Sequence, residues 1–165
     1  MPIEIVTGDI TGQDVDAIVN SANPSMLAGG GVCGAIHRAA GAELEKECLI
    51  IGHVDAGNAV ITSGYKLKAR HVIHAVAPQW FGGHNNEPVL LEKCYRSIFG
   101  IVESENFKSV AIPAMAIGSY RYPVELATPI AVRIAKEYDA MLGDVLIRFV
   151  CFDARIASYY ENCLR

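Results

Sequence analysis

Four short segments concentrate residues able to grip a polar ligand. The first is Ala28-Gly29-Gly30-Gly31-Val32-Cys33-Gly34-Ala35-Ile36-His37, with four glycines in six positions. Glycines leave backbone N–H groups uncovered, and these run into a helical pattern whose opening N–H groups have no partner inside the helix. Such an arrangement is an anion site made of backbone. Gly29, Gly31 and Gly34 also match G-x-G-x-x-G. As a dinucleotide fingerprint the match is weak: seven residues separate it from the preceding strand candidate, and no acidic strand end follows at the required distance. No G-K-[ST] is present, so the segment is not a P-loop.

The second segment is Asn20-Ser21-Ala22-Asn23-Pro24. Pro24 pushes the Asn23 backbone toward extended geometry, so no helix starts there. Asn23 is then either an Asn-Pro turn residue or a fixed amide that exchanges hydrogen bonds with a sugar hydroxyl. The third runs from Pro113 through Ile117-Gly118-Ser119-Tyr120-Arg121 to Pro123. Gly118 permits positive φ and Ser119 offers an N–H and a hydroxyl, a second cradle for phosphate. Tyr120 and Tyr122 are either walls for a sugar or half-buried packing. The fourth is split between Gly8-Asp9-Ile10-Thr11 and Phe152-Asp153. A carboxylate that accepts from an exocyclic amine, beside an aromatic face, is what an adenine pocket needs. Separately, Asp9 reads as an Asx-turn residue and Phe152 as core. The pairing has force only if the two strands before them are neighbours.

These loops need a frame. Strand patterns fall at 3–7, 17–21, 58–62, 71–76, 109–113 and 145–152, mostly apolar on both faces as in a covered sheet. Helical patterns fall at 32–51 (broken near Gly41), 87–105, 124–141 and 154–164, the last with Asp153 as N-cap. Pro129 conflicts with the third pattern, which should start late or kink there. Interleaved strands and helices predict an α/β fold: one three-layer α/β/α domain over residues 1–165 with a mixed central sheet. Ligands in such sheets bind beyond the carboxyl ends of strands, where the four segments lie.

Composition narrows the partners. The 165 residues are 52% hydrophobic and 19% charged, which suits a packed core and excludes a disordered or coiled-coil chain. A net charge of −4 leaves no footprint for nucleic acid or an anionic membrane. An anionic ligand must therefore be held by N–H groups rather than by lysines. Met1-Pro2-Ile3-Glu4 has no basic or apolar character of a signal peptide, and no apolar run is long enough to span a bilayer. Five scattered cysteines without a C-x-x-C pair read as reduced thiols, which predicts a cytoplasmic protein. His71 and His74 sit on opposite faces of one strand, and the other histidines and cysteines have no ligand spacing, so no metal and no cofactor are expected.

In order along the chain, Gly8–Thr11, Asp16–Ser25, the glycine run into Ala35-Ile36-His37-Arg38-Ala39-Ala40-Gly41, Thr62–Leu67, His71–Pro78, Gly118–Pro123 and Val150–Asp153 resemble the macro domain family. The likeness covers nearly the whole chain and is greatest for the MacroD-type branch, which binds ADP-ribose, removes single ADP-ribosyl groups from acidic side chains and deacetylates O-acetyl-ADP-ribose. The resemblance implies that Asp9 accepts from adenine N6 with the Ile10 N–H beside it, and that Phe152 stacks on the base. It implies that Gly30, Gly31, Val32 and Cys33, with Ile117, Gly118 and Ser119, close over the diphosphate. Asn23 would hold the distal ribose and Tyr120 would line it. The implied partner is ADP-ribose or an ADP-ribosylated protein.

Two departures bear on catalysis. The MacroD-type pattern has an aspartate where this chain has Cys33, assigned there to the attacking water. Glycosidic cleavage passes through an oxocarbenium-like state that a carboxylate serves as base and counter-charge, whereas a thiol is a poor base near neutral pH. The second loop usually reads Ser-Thr-Gly-Val-Tyr-Gly, and Ala116-Ile117-Gly118-Ser119-Tyr120-Arg121 lacks two hydroxyls and adds a cation. The expectation is an ADP-ribosyl or O-acetyl-ADP-ribose hydrolase working through Asn23 and the group at Cys33. The alternatives are a reader of ADP-ribose without catalysis, and a Rossmann-type nucleotide domain resting only on the glycine spacing.

Overall fold

The structure is a computed structural model that describes residues 3–165; Met1 and Pro2 of the N-terminal run lie outside them. Six strands form one sheet: β1 (Ile3–Thr7), β2 (Ala17–Ser21), β3 (Ala59–Ser63), β4 (His71–Ala75), β5 (Ser109–Pro113) and β6 (Leu146–Cys151), in the order β1-β6-β5-β2-β4-β3. Every neighbouring pair is parallel except β3–β4. The helices are α1 (Gly31–Ala40), α2 (Ala42–Ile51), α3 (Glu87–Ser104), α4 (Val124–Leu142) and α5 (Ala154–Leu164).

Two cores, one on each face, make the three layers. Ala17 and Val19 of β2 point into a core shared with Leu91, Tyr95, Ile98 and Phe99 of α3, Ile134 of α4 and Tyr160 of α5. Ile18 of the same strand points into a second core with Ile36 of α1 and Leu44 of α2. That two-sided burial is why β2 opens on the apolar run Ala17–Val19.

The helical pattern at 32–51 divides at Gly41, whose φ of 94° suits glycine and turns the chain between α1 and α2. The predicted strand 58–62 lies one residue later, at Ala59–Ser63, set by its antiparallel register with β4. Asp153 caps α5, accepting from the Ile156 N–H at 2.8 Å. Helix α4 starts at Val124 and runs through Pro129, against the expectation of a late start. Pro129 is exposed and forfeits only one hydrogen bond, and Thr128 beside it donates its hydroxyl to the Val124 carbonyl at 2.7 Å.

One buried carboxylate ties the loop that follows β4. Glu87 accepts from the N–H groups of Phe81 (2.7 Å), Gly83 (3.0 Å) and Asn85 (2.7 Å). Burial pushes its pKa up, but backbone donors from Phe81, its own residue, Gly83 and Asn85 outweigh that and hold it near about 2. The folded value is depressed, so this stabilisation is full above the ordinary value of 4.5 and is lost as pH falls toward 2. Glu87→Gln turns a donor toward those N–H groups. It is expected to lower Tm by several degrees and to flatten the acid limb of stability against pH, both read by thermal melts at stepped pH.

Candidate functional site

Strands β1, β6, β5 and β2 are parallel neighbours, so the loops after their carboxyl ends emerge side by side. At roughly 4.8 Å per strand this row spans about 14 Å, room for an extended ligand. Beyond β5 the chain turns to α4 on one face of the sheet, and beyond β2 it turns to α1 on the other. Connections that diverge in this way open a crevice at the strand ends. The four segments singled out in the sequence occupy this one edge.

The glycine run enters the crevice from β2. Gly30 caps α1 in extended geometry and Gly31 has φ 54°. The Gly34 N–H bonds the Gly30 carbonyl at 3.1 Å, while those of Gly31, Val32 and Cys33 find no acceptor among the described residues. A Cβ on Gly34 would stand 2.2 Å from the Gly29 carbonyl oxygen, so that glycine lets the loop lie against the helix. A pocket of about 400 Å³ is lined by Ala28, Gly29, His37, Arg38 and Glu45 and by no residue of the loops after β1, β5 and β6.

The second cradle enters from β5. Tyr122 N–H bonds Ala116 O and Arg121 N–H bonds Gly118 O, both at 3.0 Å, and Trp80 N–H bonds Tyr120 O at 2.8 Å. The N–H groups of Ile117, Gly118, Ser119 and Tyr120 donate to no described residue. Ala116 (φ 72°) and Arg121 (φ 61°) both hold left-handed backbone, strain of the kind that accumulates at functional loops. Arg121 stands where the resembled pattern has glycine, which suits that φ. Because β2 and β5 are parallel neighbours, the two loops leave adjacent strands at the same end; burial raises the pKa of the half-buried Tyr120 phenol, and Cys33 adds to the rise. Trp80 packs on Tyr122 with ring centroids 4.7 Å apart, so the loop held by Glu87 braces this one.

Asp9 and Phe152 meet the condition set by the sequence, because β1 and β6 are paired and the Gly8 N–H bonds the Cys151 carbonyl at 3.0 Å. One Asp9 oxygen, Oδ1, accepts from both the Thr11 N–H (2.9 Å) and the Thr11 hydroxyl (2.8 Å). These bonds, the backbone one foremost, hold the Asp9 carboxyl below its ordinary range. Oδ2 makes no bond among the described residues. Gln13 donates to the Asp9 carbonyl at 3.0 Å and accepts from Arg148 at 3.1 Å, which anchors the turn. Phe152 is 68% exposed, so it is an open ring face rather than the core residue it could have been.

At the other end Asn23 builds its own turn. Its Nδ2 donates to the Leu27 carbonyl at 2.7 Å, and its Oδ1 accepts from the Leu27 N–H (3.1 Å) and the Ser25 hydroxyl (2.9 Å). Cys33 is buried, and its hydrogen bonds among the described residues do not include His37. It lies 3.6 Å from Asn20 Nδ2 and 3.6 Å from the Leu27 carbonyl. Burial lowers the pKa of His37, with Glu45 acting weakly against it. Asn20 and His74 went unassigned by sequence reasoning. They are register partners on β2 and β4, 1% and 0% exposed, joined at 3.0 Å between Asn20 Nδ2 and His74 Nδ1. Burial, and to a lesser degree His37, drop the His74 pKa to about 3, so the ring is neutral at ordinary pH. A lone Asn within the apolar run Ala17–Ser21 was the available signal.

Residues 19–131 match the family described as Macro domain. A macro domain-containing protein of Mesorhizobium japonicum is 52% identical over 161 residues, covering 96% of this chain and 90% of its own. A protein of Salmonella gallinarum named O-acetyl-ADP-ribose deacetylase is 44% identical over 167 residues, covering 98% and 93%. The crystal structure of the Trypanosoma brucei macrodomain in complex with ADP-ribose superposes with a TM-score of 0.92 at 36% identity, covering 99% of this chain and 69% of that one.

Proposed function

As the chain belongs to the macro domain family, we propose that its cleft binds ADP-ribose and that it hydrolyses ADP-ribosyl esters: single ADP-ribosyl groups on acidic side chains, and O-acetyl-ADP-ribose. The observation that carries the binding half is the pairing of two unpartnered N–H runs, 31–33 and 117–120, across one crevice. An exposed aromatic and a carboxylate stand at one end of that crevice and Asn23 at the other. Backbone donors suit a diphosphate in a protein of net charge −4. The relative from Salmonella named O-acetyl-ADP-ribose deacetylase supports the hydrolytic half.

In this reading Asp9 and Phe152 hold adenine, with the Ile10 N–H beside them. Residues 30–33 and 117–119 hold the diphosphate, and Asn23 and Tyr120 hold the distal ribose. On a modified glutamate or aspartate a water oxygen bonds the anomeric carbon, the side-chain carboxylate leaves with the glycosidic electron pair, and the water proton passes to a phosphate oxygen of the substrate. On O-acetyl-ADP-ribose the water oxygen bonds the acetyl carbonyl carbon instead, the ribose oxygen leaves with the ester electron pair and takes one water proton, and acetic acid is released. Cys33 takes no proton in this scheme, because its S–H already faces the Leu27 carbonyl. That feature favours the second reading, an ADP-ribose reader without turnover.

The two are separated with a protein mono-ADP-ribosylated on glutamate, following free ADP-ribose with wild type and Cys33→Asp. A hydrolase releases ADP-ribose as wild type, and Cys33→Asp, which adds a carboxylate base, raises the rate about tenfold or more. No release by wild type with ADP-ribose still bound supports the reader, and no binding at all removes both.

A further inference from the structure

A buried hydrogen-bond chain crosses the domain from the edge of the sheet to the loop of Asn23, and its donors and acceptors point one way. The Thr62 hydroxyl donates to the Ser63 carbonyl at 3.1 Å, so its lone pairs receive His74 Nε2 at 2.8 Å. With the hydroxyl proton on that carbonyl, the single proton of neutral His74 lies on Nε2, which also has Cys48 Sγ at 4.0 Å, and Nδ1 is left as an acceptor. Asn20 Nδ2 fills it at 3.0 Å, and its second N–H reaches Cys33 Sγ. The Cys33 S–H then points to the Leu27 carbonyl, which also receives Asn23 Nδ2.

The opposite sense is worse. It would put Asn20 Oδ1 against His74 and strand two buried N–H groups, whereas the observed sense strands only the Oδ1 acceptor. Thr62, His74 and Asn20 stand two residues beyond Val60, Val72 and Ile18, so they lie on the sheet face covered by α1 and α2, and Asn20 and His74 are held opposite each other by the β2–β4 register.

We propose that Asn20 and His74 are positioning residues, which orient the Cys33 thiol and, through the shared Leu27 carbonyl, set the Asn23 turn. The part of this that concerns ligand affinity rests on the reading of Asn23 as the ribose-holding group; the hydrogen-bond sense does not.

The test uses the intact protein labelled with nitrogen-15, the ring-nitrogen correlation spectrum of His74, and the Thr62→Val variant. Wild type is expected to show protonated Nε2 and bare Nδ1. Thr62→Val removes the acceptor for Nε2–H while keeping a β-branched side chain in a strand. The ring proton should then move to Nδ1, the Asn20 amide should turn over, and the amide signals of Leu27 and Cys33 should shift. ADP-ribose affinity should fall about three- to tenfold, the size of effect such networks transmit, and Thr62→Ser should restore all of these. A wild-type His74 protonated on Nδ1 overturns the proposal, and that measurement stands even if Thr62→Val fails to fold. Unshifted Leu27 and Cys33 signals in a folded Thr62→Val overturn it too. A wild type that does not bind ADP-ribose defeats the functional reading instead, and the spectra still decide the chain.

Discussion

Asp9→Asn is expected to weaken ADP-ribose binding by about 10- to 100-fold, the range for losing a hydrogen bond to a charged acceptor, while stability stays near wild type. The asymmetry of the carboxylate explains both halves. Oδ1 holds the turn through Thr11, and an asparagine oxygen in its place keeps those two bonds. Oδ2 accepts from no described residue, and in the proposed pose the variant sets an amide NH2 against the adenine N6 amine, donor to donor. An analogue with a keto oxygen at that position of the base reverses the mismatch, so Asp9→Asn should prefer the hypoxanthine analogue that wild type rejects. Calorimetry with both ligands reads the switch. Equal affinities of wild type and variant for ADP-ribose would remove Asp9 from the base site.

At the other end, Asn23→Ala is expected to cut ADP-ribose release about 100-fold or more, the usual scale for losing a positioned donor at a reacting centre, against about tenfold in binding. The same substitution frees the Leu27 N–H and leaves the Leu27 carbonyl with Cys33 alone. Turnover should therefore suffer more than affinity, because a loosened turn still closes over ligand but no longer holds the ribose in one pose. Equal losses in kcat/KM and in affinity, with kcat unchanged, would make Asn23 a binding group only.

Much of the frame was legible in the residues. Short apolar runs marked β1, β2 and β5 to the residue, buried on both faces in β2 and β5, and a broad apolar stripe marked α3. The glycine run announced the unpartnered N–H groups that open α1, because uncovered backbone at a helix start has a local signature. The Asp9–Phe152 pairing was only conditional, since β1 and β6 meet from opposite ends of the chain and nothing local says so.

Asn20 was hidden for the same reason. Its partner His74 lies 54 positions away and comes opposite it only through the β2–β4 register. Glu87 looked like an ordinary acidic residue opening a helix, and its burial depends on a loop folding back to present three N–H groups. The left-handed backbone at Arg121 had no cue in residue type, because arginine ordinarily avoids it.

In the proposed cleft a diphosphate is held by backbone N–H groups rather than by lysine or arginine side chains. Calorimetric titration of ADP-ribose into the protein at about 50 mM and about 500 mM sodium chloride tests that directly, since added salt screens separated, solvent-exposed charges far more than fixed short-range donors. One-to-one binding that changes less than about threefold between the two salts is the expected result. Absence of binding, or a loss of about tenfold or more at high salt, would contradict it.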